Sequence, residues 1–357
     1  MSNFTFTTKA AAVAAVSVIA FAGCKDDNDV HAAQMAVSQV KGQTMGTFYS
    51  VQVPKGYTGG NEALDKRANS AFNVVIDAIS TFDNSAELAR FNAYKGTDKF
   101  EISPYLADSI ENAIFEAHRI EDAMDITVGP LVNLWGFGPD GRLEKQPQPD
   151  DIAKAKALTG YDKFALYRDA QTNKAYLQKV DGAVKLDMST LGEGLGADLL
   201  ATYLDEDKVE NYMIAVAGAI RTKGKNSKGA DWTVGIEDPF GKGVFEVACP
   251  KGMAMSTAGS YRNFFIDENT KEVFSHIIDT KTGYPVAHKT VSVTVIAPTA
   301  ATTDALDTGL LVLGAQKALD FGNKHNVAVY TIEIDDKGQA VGRYSKAFEP
   351  YLKCNVR

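Results

Sequence analysis

From residue 163 to residue 298 strand-like runs follow one another with little helical relief, and this ordering constrains the fold more than any other feature of the chain. "KFALYRD", "KAYLQKV", "NYMIAVAGAI", "DWTVGIEDP", "GVFEVAC", "GMAMSTAG", "HIIDTKTG" and "TVSVTVIAP" are rich in β-formers and bounded by turn residues. Strands in succession pair as hairpins. The expected fold class is therefore α+β, with mixed, largely antiparallel sheets and packed helices, rather than a regular βαβ repeat.

Helices are expected on both sides of this block. "NEALDKRANSAFNVVIDAISTF" has helical spacing of Leu, Ala, Phe, Val and Ile. "SPYLADSIENAIFEAHRIEDAM" is a second helix with Ser103 as N-cap, and "PQPDDIAKAKALTG" a third with Gly160 as its stop. "TTDALDTGLLVLG" and "GAQKALDFGNKH" are late helices. "GTFYSVQVP" opens the domain as a strand, and "NVAVYTIEID" with "GQAVGRYS" closes it as a hairpin around Asp336-Lys337-Gly338.

One helix is expected inside the strand block, at "KLDMSTLGEGLGAD" (185–198), where Gly192, Gly194 and Ala197 spell G-x-G-x-x-A. A dinucleotide fold needs an acid at the end of the next strand to hold the ribose. Here that strand ends Ala-Gly-Ala-Ile-Arg, and no βα alternation follows. Two readings of the glycines remain: exposed N–H groups at a helix start that favour an anion, or close packing of helix on neighbour.

The chain has 357 residues, with 45% hydrophobic and 23% charged, which is ordinary globular composition. Its formal net charge of −8 argues against a nucleic-acid partner, which needs basic density over a wide surface. Residues 1–23 read as a signal peptide: one Lys, a short apolar run, then Ala22-Gly23 before Cys24. The Cys at that place makes the segment similar to bacterial lipoprotein signals, although Phe21 replaces the usual Leu. Residues 24–40 read as a lipidated Cys24 and polar tether, and 41–357 as one domain. Cys249 and Cys354 are open to pairing or to burial as thiols, because spacing alone cannot decide.

Chemistry concentrates in two stretches. In "TTDALDTGL", Asp304, Asp307 and Thr308 stand at i, i+3 and i+4, which puts three oxygens on one helix face. Such hard ligands suit Mg²⁺ or Ca²⁺; the simpler reading, favoured on these residues alone, is that acids near a helix start complement its dipole. In "FSHIIDTKTGYP", His276 is a candidate general base with Asp279 nearby; a strand-end His bonded to backbone is the simpler alternative.

Eight motifs taken together carry a resemblance: "MGT", "STFDNSAELARFN", "DITVGPLVNLWGFG", "LDMSTLGEG", "WTVGIEDP", "STAGSYRNFF", "HIIDTKTGYP" and "TDALDTG", in that order over about residues 42–345. The chain resembles the ApbE family, the FAD:protein FMN transferases. It departs from the family at Glu193, where many members have Lys, at Ala217, where two glycines are usual, and at Thr280, which replaces a Pro.

The resemblance implies an ApbE-like fold, FAD as substrate and Mg²⁺ at its pyrophosphate. Carried onto this chain, Met45, Phe82, Ala123, Met124 and Asp125 are flavin contacts, and Asp187, Glu193 and Ile278 line the nucleotide. Thr190, Asp304, Asp307 and Thr308 form the metal site, Thr190 through its backbone oxygen; His276, or else Asp279, takes the acceptor's proton. The implied reaction attaches FMN to a threonine hydroxyl of an exported acceptor through a phosphoester and releases AMP. The implied acceptors are subunits of membrane redox complexes of the sodium-pumping NADH:quinone reductase or Rnf type. The implied place is the periplasmic side of the bacterial inner membrane, with Cys24 as lipid anchor. A Mg²⁺-dependent FAD pyrophosphatase and a non-catalytic FAD-binding lipoprotein are the alternatives.

Overall fold

The computed structural model describes residues 37–355 other than Asp140, Arg142 and Glu144. The signal peptide, Cys24 and most of the tether lie outside the described residues. The elements in chain order are β1 (Ser38–Thr44), β2 (Thr47–Val53), α1 (Gly60–Ile79), α2 (Glu87–Ala93), β3 (Phe100–Ile102) and α3 (Pro104–Arg119). Then come α4 (Gly129–Leu134), α5 (Pro149–Lys156), β4 (Phe164–Asp169), β5 (Lys174–Lys179), α6 (Ser189–Glu206), β6 (Tyr212–Val216) and β7 (Ala219–Lys223). β8 (Val234–Glu237), β9 (Val244–Ala248), β10 (Ala254–Gly259), β11 (Phe264–Ile266), β12 (Val273–Ser275), β13 (Ile278–Asp279) and β14 (Tyr284–Pro285) follow. The last are β15 (Thr290–Ala297), α7 (Ala300–Leu313), α8 (Ala315–His325), β16 (Ala328–Ile334) and β17 (Ala340–Tyr344).

Eight strands form the central sheet in the order β1-β2-β6-β7-β10-β15-β16-β17, and every neighbouring pair is antiparallel. The α+β, largely antiparallel expectation holds, and a parallel dinucleotide-binding sheet is excluded. Both faces of the sheet are covered, and β6, near its middle, is buried at all five positions. Tyr212, Ile214 and Val216 point toward α1 and α6 and share their core. Met213 and Ala215 point the other way, onto a core with Trp232 and Ile236 from the β8–β9 hairpin and Phe348 from the C-terminal segment. The third layer, on the helix side, joins α3, α7 and α8 to β15 through Ile110, Leu306, Leu310, Phe321 and Val293.

Local chemistry sets the helix ends. Ser103 Oγ accepts the N–H of Leu106 at 3.2 Å with Pro104 in the first turn, the expected start of α3. α5 ends at Lys156, earlier than the Gly160 stop read from sequence; Gly160, at φ 120°, instead begins a single 3₁₀ turn at 161–163. Residues 129–134 are the short helix α4 with Pro130 in its first turn. "NYMIAVAGAI" is two strands, not one: β6 and β7 fold back at Ala217-Gly218, with Val216 opposite Ala219. Ala217 adopts φ 42°, a left-handed conformation that costs a residue with a Cβ about 1–2 kcal/mol, which is the physical reason a glycine suits this place. "HIIDTKTG" is strand only at Ile278–Asp279 and is otherwise a tight turn. Ser38–Val40, assigned to the tether by composition, are the first residues of β1.

Cys249 and Cys354 form a disulfide across 105 residues, so the pairing reading is the correct one. The bond ties the C-terminal segment onto the sheet's back layer, beside hydrogen bonds from Cys249 N–H to Tyr351 O at 2.8 Å and from Asp231 N–H to Asn355 O at 2.9 Å. Closing so long a loop stabilises by about 4–5 kcal/mol in the chain-entropy account. Replacing both cysteines by serine is expected to lower the unfolding free energy by about 2–5 kcal/mol. Urea titration with and without reductant checks this: the reductant should bring the native protein down to the level of the variant and leave the variant unchanged.

Candidate functional site

α6 and α7 lie far apart in sequence and cross in antiparallel fashion along one stripe each. The hydroxyls of Thr190 and Thr308 share a hydrogen bond of 2.7 Å. One turn further along α6, the N–H of Gly194 donates to Asp304 Oδ2 at 2.6 Å. Glycine is required there: a Cβ at 194 would stand 2.4 Å from the carbonyl oxygen of Ala300 and 2.7 Å from the nitrogen of Ala301. Close packing is thus the role the structure gives this glycine.

Asp304 and Asp307 are both buried, 3% exposed each, on the face of α7 turned toward α6 and β10. Ser256 of β10 hydrogen-bonds both carboxyl groups, and Thr308 Oγ1 donates to Asp307 Oδ1 at 3.2 Å. Burial, and then the charge of neighbouring acids, holds both carboxyls well above the usual carboxylate range. Glu193 adds to this repulsion. Its carboxylate accepts the N–H of Gly218 at 3.2 Å, yet burial pushes its pKa up to about 7. Acids gathered and desolvated in this way are under-compensated, and a cation reverses that balance.

The donor set is two carboxylates and two threonine oxygens, all hard. No group of three or more His, Cys, Asp or Glu side chains that could hold a metal occurs among the described residues. An ion here would therefore draw its remaining ligands from water or a bound phosphate, which is the habit of Mg²⁺ rather than of Zn²⁺.

A second set of loops abuts this junction. Gly309 follows Thr308, and a Cβ there would lie 3.0 Å from the nitrogen of Met124 and 2.1 Å from Ile120 Cδ1. The Ala123–Asp125 segment thus rests directly on α7, with Ala123 and Met124 buried. Asp125 Oδ1 accepts from Thr127 N at 2.8 Å and Thr127 Oγ1 at 2.6 Å, and burial raises its pKa. Asp187 donates its N–H to Ile126 O at 2.7 Å, while its carboxylate caps α6 by accepting from the N–H of Ser189 at 2.8 Å and from the Ser189 hydroxyl. Asn92 fixes the residue before it: the amide donates to Leu186 O at 2.7 Å and accepts from Leu186 N at 2.8 Å. Lys179 is buried next to this clamp, donating to Phe91 O at 2.9 Å and Val184 O at 3.3 Å, and burial pushes its pKa down to about 8.

Met45 sits at φ 50° in the β1–β2 turn, and its side chain covers the glycine face of α6: a Cβ at Gly196 would meet Met45 Cε at 3.0 Å. Phe82 is 65% exposed, in a turn where Ser80 Oγ accepts from Phe82 N and Asp83 N. An aromatic ring so presented can stack on a planar ligand.

His276 follows β12. Its Nδ1 lies 3.0 Å from the carbonyl oxygen of Asn263, which can only accept, so Nδ1 carries the proton and Nε2 keeps a lone pair. Burial lowers its pKa and favours this neutral form. Asp279 is occupied differently: Oδ1 accepts from Lys281 N at 2.9 Å and its carbonyl from Gly283 N at 2.7 Å, closing the turn. Ile278 is packed with Leu131, Trp135 and Ile152. Trp135 Nε1 donates to Gly283 O at 2.9 Å and Lys281 Nζ to Glu121 O at 2.6 Å, fastening the His276 loop to the Ala123–Asp125 region. An open cavity of about 680 Å³ lined by Arg119, Thr302, Leu306 and Tyr351 adjoins the other face of α7 and takes in none of these groups.

Thr190, Glu193, Asp304, Asp307 and Thr308 are therefore one cluster, and Ala123–Asp125 and Asp187 are cross-tied loops beside it. Ser256 and Asn92 were not singled out from sequence, though both lie in motifs quoted above; their partners are distant, and only the fold discloses them.

Comparison with known proteins identifies the family and the fold. The profile of the ApbE family matches residues 45–331. The chain is 39% identical to the FAD:protein FMN transferase of Haemophilus influenzae, covering 94% of this chain and 96% of the relative. It is 37% identical to the protein of the same name from Escherichia coli K12, covering 87% and 89%. Its fold superposes on the flavin transferase ApbE of Vibrio cholerae with a TM-score of 0.78 at 34% identity, covering 88% of this chain and all of that one. A flavinyl transferase ApbE from Pseudomonas stutzeri gives 0.78 at 29% identity, covering 88% and 96%. On the matched profile, the shared length and the shared fold, this chain belongs to the ApbE family.

Proposed function

We propose that the protein is a Mg²⁺-dependent FAD:protein FMN transferase, which moves FMN from FAD to a threonine hydroxyl of an acceptor protein and releases AMP. The observation that carries this reading is the α6–α7 junction, where Asp304 and Asp307 are buried together beside Thr308 and across from Thr190. The names of the relatives supply the reaction class.

Thr190, Asp304, Asp307 and Thr308 would hold the metal. When bound, Mg²⁺ offsets the negative charge on the FAD pyrophosphate as the bond to AMP breaks. Met45, Phe82 and Ala123–Asp125 would bind the flavin, and Asp187, Glu193 and Ile278 would line the nucleotide. His276 Nε2 accepts the proton of the attacking hydroxyl, with Nδ1 held by Asn263; Asp279 is placed to stiffen that turn instead. The acceptor oxygen bonds the riboflavin-side phosphorus, the pyrophosphate P–O bond breaks, and AMP departs. The site must exclude water to favour transfer over hydrolysis.

The signal-like residues 1–23 and the Cys249–Cys354 disulfide support an exported protein. On the resemblance we extend this to a lipid anchor at Cys24 on the periplasmic side of the inner membrane. There the acceptors would be subunits of sodium-pumping or Rnf-type redox complexes.

Incubation with FAD, Mg²⁺ and such a subunit, read by in-gel flavin fluorescence, tests the reading. A fluorescent acceptor band is expected; free FMN without acceptor labelling would make the protein a pyrophosphatase, and unchanged FAD a carrier. Asp304→Ala is expected to lower Mg²⁺-dependent transfer about 100-fold or more, and undiminished transfer would remove the metal assignment. His276→Ala should lose transfer by about 10²–10⁴-fold and keep FAD binding, checked by equilibrium titration. Because burial lowers its pKa, His276 stays neutral to below the ordinary value of about 6.5. The native rate should therefore rise with pH to a plateau whose midpoint lies under that value.

A further inference from the structure

Asp198 stands one turn beyond Gly194 on the same stripe of α6. Its Oδ1 accepts the N–H of Ala300 and its Oδ2 the N–H of Ala301, both at 2.9 Å. These are orphan donors of the first turn of α7, which ordinarily find a partner in the preceding residue or in water. That end of α7 already has a local cap, since Thr299 Oγ1 accepts from Thr302 N at 3.3 Å. Asp198 is thus a second cap, reaching across from another helix. Arg221 Nε lies 3.5 Å from Asp198 Oδ1 and offsets its burial.

The three α6–α7 contacts form a series. Positions 190, 194 and 198 advance one turn at a time up α6, and positions 308, 304 and 300 descend one turn at a time down α7. Two oxygens on two adjacent N–H groups resist rotation of α7 about its axis as well as sliding along it. A rigid helix carries that constraint about 6 Å to Asp304 and about 12 Å to Thr308, at 1.5 Å per residue. We propose that Asp198 is a positioning residue: its two-pronged hold on Ala300 and Ala301 sets the register of α7 on α6, and so the spacing of Asp304 and Thr308 from Thr190. This rests on the metal reading above.

The test is direct metal binding. Mg²⁺ is titrated calorimetrically into the FAD-loaded full chain as native protein, Asp198→Asn and Thr299→Ala. The amide of Asn keeps one acceptor and loses the other, so Asp198→Asn is expected to weaken Mg²⁺ binding about 10-fold. The half-saturating Mg²⁺ for turnover should rise in parallel, with kcat at saturating Mg²⁺ within about 2-fold of native. Thr299→Ala removes the local cap and should leave Mg²⁺ affinity unchanged. Should Asp198→Asn not fold, Asp198→Glu keeps the charge, displaces the grip by one methylene and should weaken binding likewise. Unchanged Mg²⁺ affinity in the Asp198 variant, or equal weakening in Thr299→Ala, overturns the register proposal alone. A native protein that takes up no Mg²⁺ overturns it together with the metal reading.

Discussion

The close approach of α6 to α7 is the constraint on which the rest of the molecule is arranged. It exists because position 194 has no side chain; any Cβ would enter the backbone of Ala300 and Ala301. Once the helices are in contact, Thr190 and Thr308 meet, and the two aspartates of α7 are closed over by Ser256 of β10. The sheet supplies the platform. β10 and β15 carry α7, and the β6–β7 turn brings the N–H of Gly218 to Glu193.

This arrangement works against stability. Burial disfavours the charged form of all three acids, and hydrogen bonds from Ser256 and from the N–H groups of Gly194 and Gly218 offset part of that cost. Packing and cross-ties in the surrounding fold hold the acids in place. The large core on the helix side runs from α1 to α8, the Asn92 amide acts as a short length of strand, and the C-terminal segment is locked down by a disulfide. Strain is also stored locally, at Met45 and Ala217, both in left-handed conformations and both beside α6 or its neighbouring turn.

Much of this was legible in the sequence, for definite physical reasons. The acids of "DALDTG" announce themselves because i, i+3 and i+4 spacing places them on one helix face whatever the tertiary fold. The α+β class was legible because strands in succession must pair as hairpins. What escaped was set by long-range contact. Ser256 and Asn92 are ordinary residues until backbone or carboxyl groups many residues away come to face them. The break of "NYMIAVAGAI" into two strands was hidden because a continuous apolar run looks the same in one buried strand or two. Pairing of Cys249 with Cys354 was undecidable for the same reason: a sequence separation of 105 says nothing about where the two cysteines meet.

The fastening of the tail has an implication for truncated chains. The helix layer that bears the acids ends with α8 at His325, whereas the rear of the sheet needs Phe348 and Cys354. The rear layer is completed by the last residues of the chain, and the disulfide then fastens it. A chain cut short of Phe348 would therefore uncover the apolar rear face of the sheet and leave Cys249 without its partner.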